Sequence, residues 1–243
     1  MNINREARLN RTALLLSDGQ MDRLKKAHVM LLGLGGVGSY AAEALARAGI
    51  GEITLVDNDE VAVSNLNRQL PALSSTVGRR KTDVVAARLR DIAPDLLVHA
   101  VNAFYLPEAP VPVPENCTMV VDAIDTVSAK LHLAQTCMER SVPLISCMGM
   151  GNRLDPTKIV IGDIYETSGC PLCRVMRSQL RKCGVPALRC VYSTEPAIEP
   201  RVTPDAETKG SGRPAPGSVS FVPSVAGLYL AYEAVRQIAG LEA

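Results

Sequence analysis

Short apolar runs alternate with longer amphipathic stretches through the first 150 residues of the chain. The run His28-Val29-Met30-Leu31-Leu32 reads as a strand and passes directly into Gly33-Leu34-Gly35-Gly36-Val37-Gly38. An Ala-rich helix follows from Ser39 to Ala48 and stops at Gly49, a residue suited to a helix C-terminus. A second strand, Glu52 to Val56, ends on Asp57. Further expected elements are a helix from Arg80 to Asp91, a strand from Leu96 to Val101, and a strand from Thr118 to Val121. A helix from Thr126 to Glu139 and a strand from Pro143 to Ser146 complete the series. Strands separated by helices imply right-handed crossovers, so the pattern predicts an α/β fold with a doubly wound, mainly parallel sheet.

Two stretches break the alternation. Leu106 to Pro114 carries four prolines in nine residues and is expected to loop around one sheet edge. Residues 200–218, rich in Pro, Gly, Ser and charge, read as a mobile loop able to act as a lid. Residues 1–26 read as an N-terminal helical segment, residues 171–183 as a helix, and Val225 to Ala239 as a closing helix. The whole, 1–243, reads as a single domain.

Composition narrows the function. With 47% apolar residues the 243-residue chain has ample material for a core, and a net charge of +1 provides no global attraction to nucleic acid. No Trp and two Phe exclude a surface built on rows of stacking aromatics. The absence of an 18-residue uncharged apolar run, and of an apolar core in MNINREARLN, predicts a cytoplasmic protein with no membrane span.

Glycines at 33, 35 and 38 permit a tight turn, backbone approach to phosphate, and close helix packing, with Gly36 between them. Asp57 is placed to accept ribose hydroxyls. A dehydrogenase shares these features, yet needs no cationic side chains beyond them. Here Ser64-Asn65-Leu66-Asn67-Arg68-Gln69 follows, and Arg80-Lys81 opens a helix. Arg68 and Lys81 suit ATP cleaved between its α- and β-phosphates, where a guanidinium fork and an ammonium stabilise the leaving pyrophosphate. In Asp122-Ala123-Ile124-Asp125, at the carboxyl end of a strand, Asp125 is the candidate Mg2+ ligand. Asp122 is expected either to support it or to cap the next helix.

This ordered set resembles the ubiquitin-activating-enzyme-like adenylyltransferases over nearly the whole chain. The resemblance implies ATP and metal roles for Gly36, Asp57, Asn65, Arg68, Gln69, Lys81 and Asp125. It also implies a homodimer contacted through residues 1–26, in which Arg11 of Arg8-Leu9-Asn10-Arg11 reaches the neighbouring subunit's ATP; Leu9 replaces the family's aromatic residue. Within the family, Ala42 to Gly51, Asn67-Arg68-Gln69, Leu154-Asp155-Pro156-Thr157 and Val191 to Glu195 resemble the tRNA threonylcarbamoyladenosine dehydratases. The implied substrate is tRNA bearing threonylcarbamoyladenosine. The alternatives are activation of the C-terminal carboxylate of a ubiquitin-like sulfur-carrier protein, and a nucleotide-binding module without chemistry.

Seven cysteines in a reducing compartment suggest burial, metal binding or catalysis. Cys117, Cys137 and Cys147 lie in apolar stretches and read as packing residues. Sulfur-carrier activators use two Cys-x-x-Cys pairs for zinc; this chain has one, Cys170-Pro171-Leu172-Cys173, so a structural zinc is not expected. A site joining Cys170, Cys173, Cys183 and Cys190 would have to break the intervening helix. From Thr167 to Thr194 there is no acid, and Arg174, Arg177 and Arg181 are expected on one helix face opposite Leu172, Val175, Met176, Leu180 and Cys183. That face is either a tRNA phosphate contact or solvated surface.

Overall fold

The computed structural model describes residues 4–201 and 215–242. Two short N-terminal helices, α1 (Arg5–Leu9) and α2 (Asp18–Lys26), precede β1 (His28–Leu32), α3 (Gly38–Ala48), β2 (Glu52–Asp57), α4 (Lys81–Ile92) and β3 (Leu97–Asn102). Next come β4 (Met119–Asp122), α5 (Val127–Glu139), β5 (Leu144–Cys147), β6 (Ile159–Asp163), α6 (Pro171–Lys182), β7 (Arg189–Ser193) and α7 (Phe221–Ala239). The strands form one seven-stranded sheet in the order β3-β2-β1-β4-β5-β7-β6. All neighbours are parallel except β6, which runs antiparallel to β7. The proposed lid falls largely on residues 202–214, outside the described residues.

Strand β1 is buried on both faces, which is why it reads as a continuous apolar run. Val29, Leu31, Ile53, Leu55 and Val121 face α3, α4 and α7. Met30, Leu32, Val56 and Val120 face Ala129, Leu133 and Cys137 of α5. The proline-rich stretch corrects the sequence expectation. It does not skirt a sheet edge: Tyr105, Val113 and Cys117 pack on the α5 face, so the loop from β3 to β4 serves as a crossover in place of a helix. Its prolines make this possible, since an extended segment lacking those N–H groups leaves fewer buried donors to satisfy.

Strands β6 and β7 were absent from the sequence expectation. Each is only five residues long, and apolar runs that short carry no decisive period. In β7, Val191 faces the α7 core while Cys190 and Tyr192 face α6. Helix α6 buries Cys173, Met176 and Leu180, but Val175 is exposed, contrary to the expected apolar face.

The strand order reverses beside β1, which opens a crevice between the carboxyl ends of β1 and β4. There Lys130 of α5, fully buried, donates to Asp122 Oδ2 at 2.9 Å, Ser146 Oγ at 3.1 Å and the Cys147 carbonyl at 2.7 Å. Asp122 therefore neither caps α5 nor remains open to a metal. Its second oxygen accepts from the Ile124 N–H at 3.0 Å.

Lys130→Met should strand the Asp122 carboxylate without a countercharge and cost about 3–5 kcal/mol. Equilibrium urea unfolding should show a clearly lower midpoint, partly restored by adding Asp122→Asn. An unchanged midpoint in the single variant would contradict this account.

Candidate active site

The glycine turn is built by contacts that leave no space for side chains at two positions. Gly33 has φ +88°, and a Cβ there would lie 2.7 Å from the Ala123 carbonyl oxygen. A Cβ on Gly38 would fall 1.8 Å from the Gly33 carbonyl oxygen, so the turn closes on itself as α3 begins. Two backbone bonds fix it across the switch point: Gly33 N–H to Val56 O and Ala123 N–H to Leu32 O, each 2.8 Å. Gly35 differs, because a Cβ there would have only an ordinary 3.7 Å contact with Gln69 Nε2. Helix α3 has no side-chain cap and no acid in its first turn, which favours an incoming anion at its free N–H groups.

The segment after β2 folds back over this turn. The Arg68 stem lies against Gly36, whose ideal Cβ would be 3.5 Å from Arg68 Cγ. The guanidinium donates to Ser64 O at 2.8 Å and Asn67 Oδ1 at 2.9 Å. Asn65 is buried and accepts from the Ala62 N–H through its side chain. Gln69 is buried over Gly35, with Oε1 lacking a protein partner. Leu70 N–H donates to Ser39 Oγ at 3.3 Å, joining the segment to α3.

Asp57 closes the other side. Its carboxylate accepts from Leu34 N–H at 2.6 Å and Asp59 N–H at 2.8 Å. Burial raises its pKa above the usual carboxylate value, against these bonds and the nearby Lys81 charge. Lys81, on the first residue of α4, is buried and donates to Asp59 Oδ2 at 2.7 Å. Sequence reasoning gave Asp59 no role; the only signal was its position two residues past Asp57. Two further neighbours were missed because they arrive from the C-terminal end of the chain: Pro223 packs on Gly36, and the Ser218 carbonyl accepts from Asn67 Nδ2 at 3.0 Å.

Asp125 is exposed on the loop between β4 and α5, two residues beyond Ala123. The structure thus brings together Gly33, Gly35, Gly36, Gly38, Asp57, Asn65, Arg68, Gln69 and Lys81, with Asp125 on the adjoining loop. Arg11 does not join them. Helix α1 is fastened at the far end of α3, where Arg8 donates to Ala46 O at 3.0 Å, Arg5 donates to Gly49 O, and both pair with Asp95. An 11-residue helix, about 16 Å long, separates that anchor from the glycine turn. Arg11 is exposed just beyond α1.

The basic helix α6 is also away from the turn. Arg174 and Arg181 are exposed, the latter stacked over the Tyr165 ring at 5.1 Å. Arg177 departs from the expected phosphate face: it is half-buried and donates to Thr167 O at 2.7 Å and to Thr167 Oγ1. Among the described residues, no group of three or more His, Cys, Asp and Glu is arranged to hold a metal ion. No described helix is long and apolar enough to cross a membrane.

Gly35→Ala should leave stability within about 0.5 kcal/mol of wild type while weakening ATP binding about tenfold or more, because only an approaching phosphate needs the space. Gly33→Ala should lose at least ~1–2 kcal/mol from its left-handed backbone alone. Thermal unfolding paired with nucleotide-binding calorimetry checks both; equal stability loss in the two variants would remove the distinction.

The ThiF family model matches residues 8–243. A tRNA threonylcarbamoyladenosine dehydratase of Bacillus subtilis is 41% identical over 237 residues, covering 94% of this chain and 93% of the relative. The Haemophilus influenzae protein of the same name is 38% identical over 217 residues, covering 86% and 83%. Among solved structures, the E. coli tRNA N6-threonylcarbamoyladenosine dehydratase TcdA, in complex with ATP, superposes with a TM-score of 0.84 at 32% identity, covering 99% of this chain and 98% of that one. With its glycine turn, overlying Asn65–Gln69 segment and matching sheet, the chain belongs to the ThiF family.

Proposed function

We propose that the protein is an ATP-dependent dehydratase that adenylates the threonyl carboxylate of threonylcarbamoyladenosine in tRNA and cyclises it. The observation that carries this reading is the placement of Arg68 and Gln69 directly over the glycine turn, with Lys81 beside Asp57. A site that binds a dinucleotide without cleaving it has no need of that cationic cover. The names of the B. subtilis and E. coli relatives support the substrate.

In this reading the free N–H groups of α3 and the Gly35 backbone receive the phosphates, and Asp57 accepts from the ribose. Arg68 and Lys81 neutralise charge as the α–β phosphate bond breaks, Lys81 turning from Asp59 toward the phosphates. A threonyl carboxylate oxygen attacks the α-phosphorus, and pyrophosphate leaves. The carbamoyl part of the same group then closes a ring on the activated carbonyl and expels AMP, for a net loss of water. Adenylation is required because a carboxylate oxygen leaves poorly and AMP leaves well.

The donor chemistry fits Mg2+. Asp125 offers one exposed carboxylate while Lys130 withholds Asp122, and Mg2+ characteristically takes one or two carboxylates together with phosphate oxygens and water. When bound, the ion would supply charge neutralisation on the triphosphate. A homodimer accounts for Arg11, which is anchored far from its own chain's turn and free to serve a neighbour's. Arg174 and Arg181 present charge to the tRNA backbone, and the cytoplasm is the compartment of such a substrate.

Incubation with ATP, Mg2+ and tRNA bearing threonylcarbamoyladenosine should remove one water mass from the modified nucleoside, read by mass spectrometry. Asp125→Ala should abolish that product and AMP release while leaving the fold intact by circular dichroism, since it takes no volume from the core. Intact nucleoside with the wild-type enzyme would reject the substrate; full activity in Asp125→Ala would move the metal elsewhere.

For the dimer, separately inactive Arg11→Ala and Lys81→Ala subunits should regain part of the activity when mixed, because each mixed dimer carries one intact composite site. No recovery, despite subunit exchange verified by native mass spectrometry, would sink the trans role of Arg11.

A further inference from the structure

The adenylation site makes no use of the Cys-x-x-Cys pair. Cys170 occupies the N-cap position of α6 with extended backbone (φ −97°, ψ 121°), Pro171 opens the helix, and Cys173 is its third residue. Side chains at N-cap and N3 meet across the first helical turn, which brings these two buried thiols together.

A cation approaches the same sulfur from the loop after β5. Arg153 is buried, 4% exposed, and among the described residues it is held by neutral carbonyls: Nη1 donates to Gly149 O at 2.6 Å and Gly151 O at 3.3 Å, and Nε to Glu195 O at 3.2 Å. Among the same residues its buried Nη2 has no partner. A buried guanidinium lacking an anion is costly, and the group its charge acts on is Cys170.

We propose that Cys170 and Cys173 form a redox-active dithiol, with Cys170 as the nucleophile and Cys173 as the resolving thiol, oxidised by a small peroxide. The neighbouring Cys173 thiol, together with the Arg153 charge, outweighs burial and holds the Cys170 thiol down to about 5, while Cys173 is pushed up as the group that keeps its proton. Burial instead pushes Cys137, Cys147 and Cys190 up to about 12 and raises Cys117, so these remain inert thiols. With Cys170 only 4% exposed and Cys173 fully buried, the pair is closed to a protein disulfide, so the oxidant must be small.

The Cys170 thiolate attacks one peroxide oxygen, the O–O bond breaks, and hydroxide leaves, giving a sulfenic acid. Cys173 sulfur then displaces the sulfenic hydroxyl as its own proton departs, forming the disulfide and a second water once hydroxide is protonated. Two electrons pass from the sulfurs to the peroxide. The thiolate charge beside Arg153 is lost in the process, at the loop that leaves β5 toward the crevice.

The test is hydrogen peroxide titration of the reduced full-length chain, read by intact mass and tryptic mapping without reductant. The peptide between Lys158 and Arg174 should lose two hydrogens and resist alkylation, reversibly with dithiothreitol, at doses that leave Cys117, Cys137 and Cys147 unmodified. Cys173→Ser should stop at a sulfenic acid on Cys170 that dimedone traps; Cys190→Ser should still form the disulfide. First oxidation of wild type at another cysteine would overturn the proposal. So would native mass spectrometry showing one zinc on this pair that protects it from peroxide. Both decisive readouts use the wild-type chain, so a variant that fails to fold does not blunt the test.

Discussion

The buried contact between Lys130 and Asp122 sets the geometry on which the site rests. All three ammonium donors are committed, to β4 through Asp122 and to β5 through Ser146 Oγ and the Cys147 carbonyl. A buried ion pair is seldom a large net gain over a well-packed apolar alternative, but it tolerates little displacement once formed. It therefore fixes the ends of two strands and the first turns of α5 relative to one another. Ala123, the next residue along, bonds to Leu32 and crowds Gly33, so the position of the glycine turn is inherited from this pair.

A second constraint comes from the other end of the sequence. Gly227 of α7 lies so close to α3 that a Cβ would be 2.2 Å from the Val37 carbonyl oxygen. This approach seats Pro223 against Gly36 and brings the Ser218 carbonyl to Asn67. The turn is thus enclosed by segments from residues 33–38, 62–70 and 218–223. Closing it needs contacts separated by nearly two hundred residues, and no local pattern announces them.

That separation explains what could be read in advance. The unit from β1 through β2 was legible because strand, glycine spacing, Ala-rich helix and terminal acid are all local signals, and the elements from α4 through β5 followed from their periods. Asp122 was misread because its partners lie on α5 and β5; a carboxylate three residues from Asp125 looks the same in sequence whether it faces a metal or a buried lysine. Arg177 was misread for a similar reason, since Thr167, which receives it, precedes the helix by four residues and lies outside its periodicity. Short β6 and β7 carried too few residues to show a period. Arg68 and Lys81 were selected by residue chemistry, and Asn65 and Gln69 by the family resemblance, but the pairing of Lys81 with Asp59 emerged only from the fold.

The charges in the crevice bear on how such a site can receive ATP. Arg68 and Lys81 supply two cations and Asp57 and Asp59 two carboxylates, so these four side chains bring no net positive charge. Burial has already made ionisation of Asp57 harder, and the Lys81 charge is shared with Asp59. A triphosphate adds several negative charges in a partly desolvated crevice, where like charges repel strongly. The free N–H groups of α3 offset only about half a charge. Under the proposed function, the balance needs positive charge from outside this constellation, and the two sources named for it are of the right sign: a divalent ion at Asp125 and a guanidinium from a second subunit. Under that reading Arg68 and Lys81, already balanced by Asp57 and Asp59, would by themselves hold ATP weakly and would stabilise the departing pyrophosphate still less, because that step concentrates charge on the leaving group.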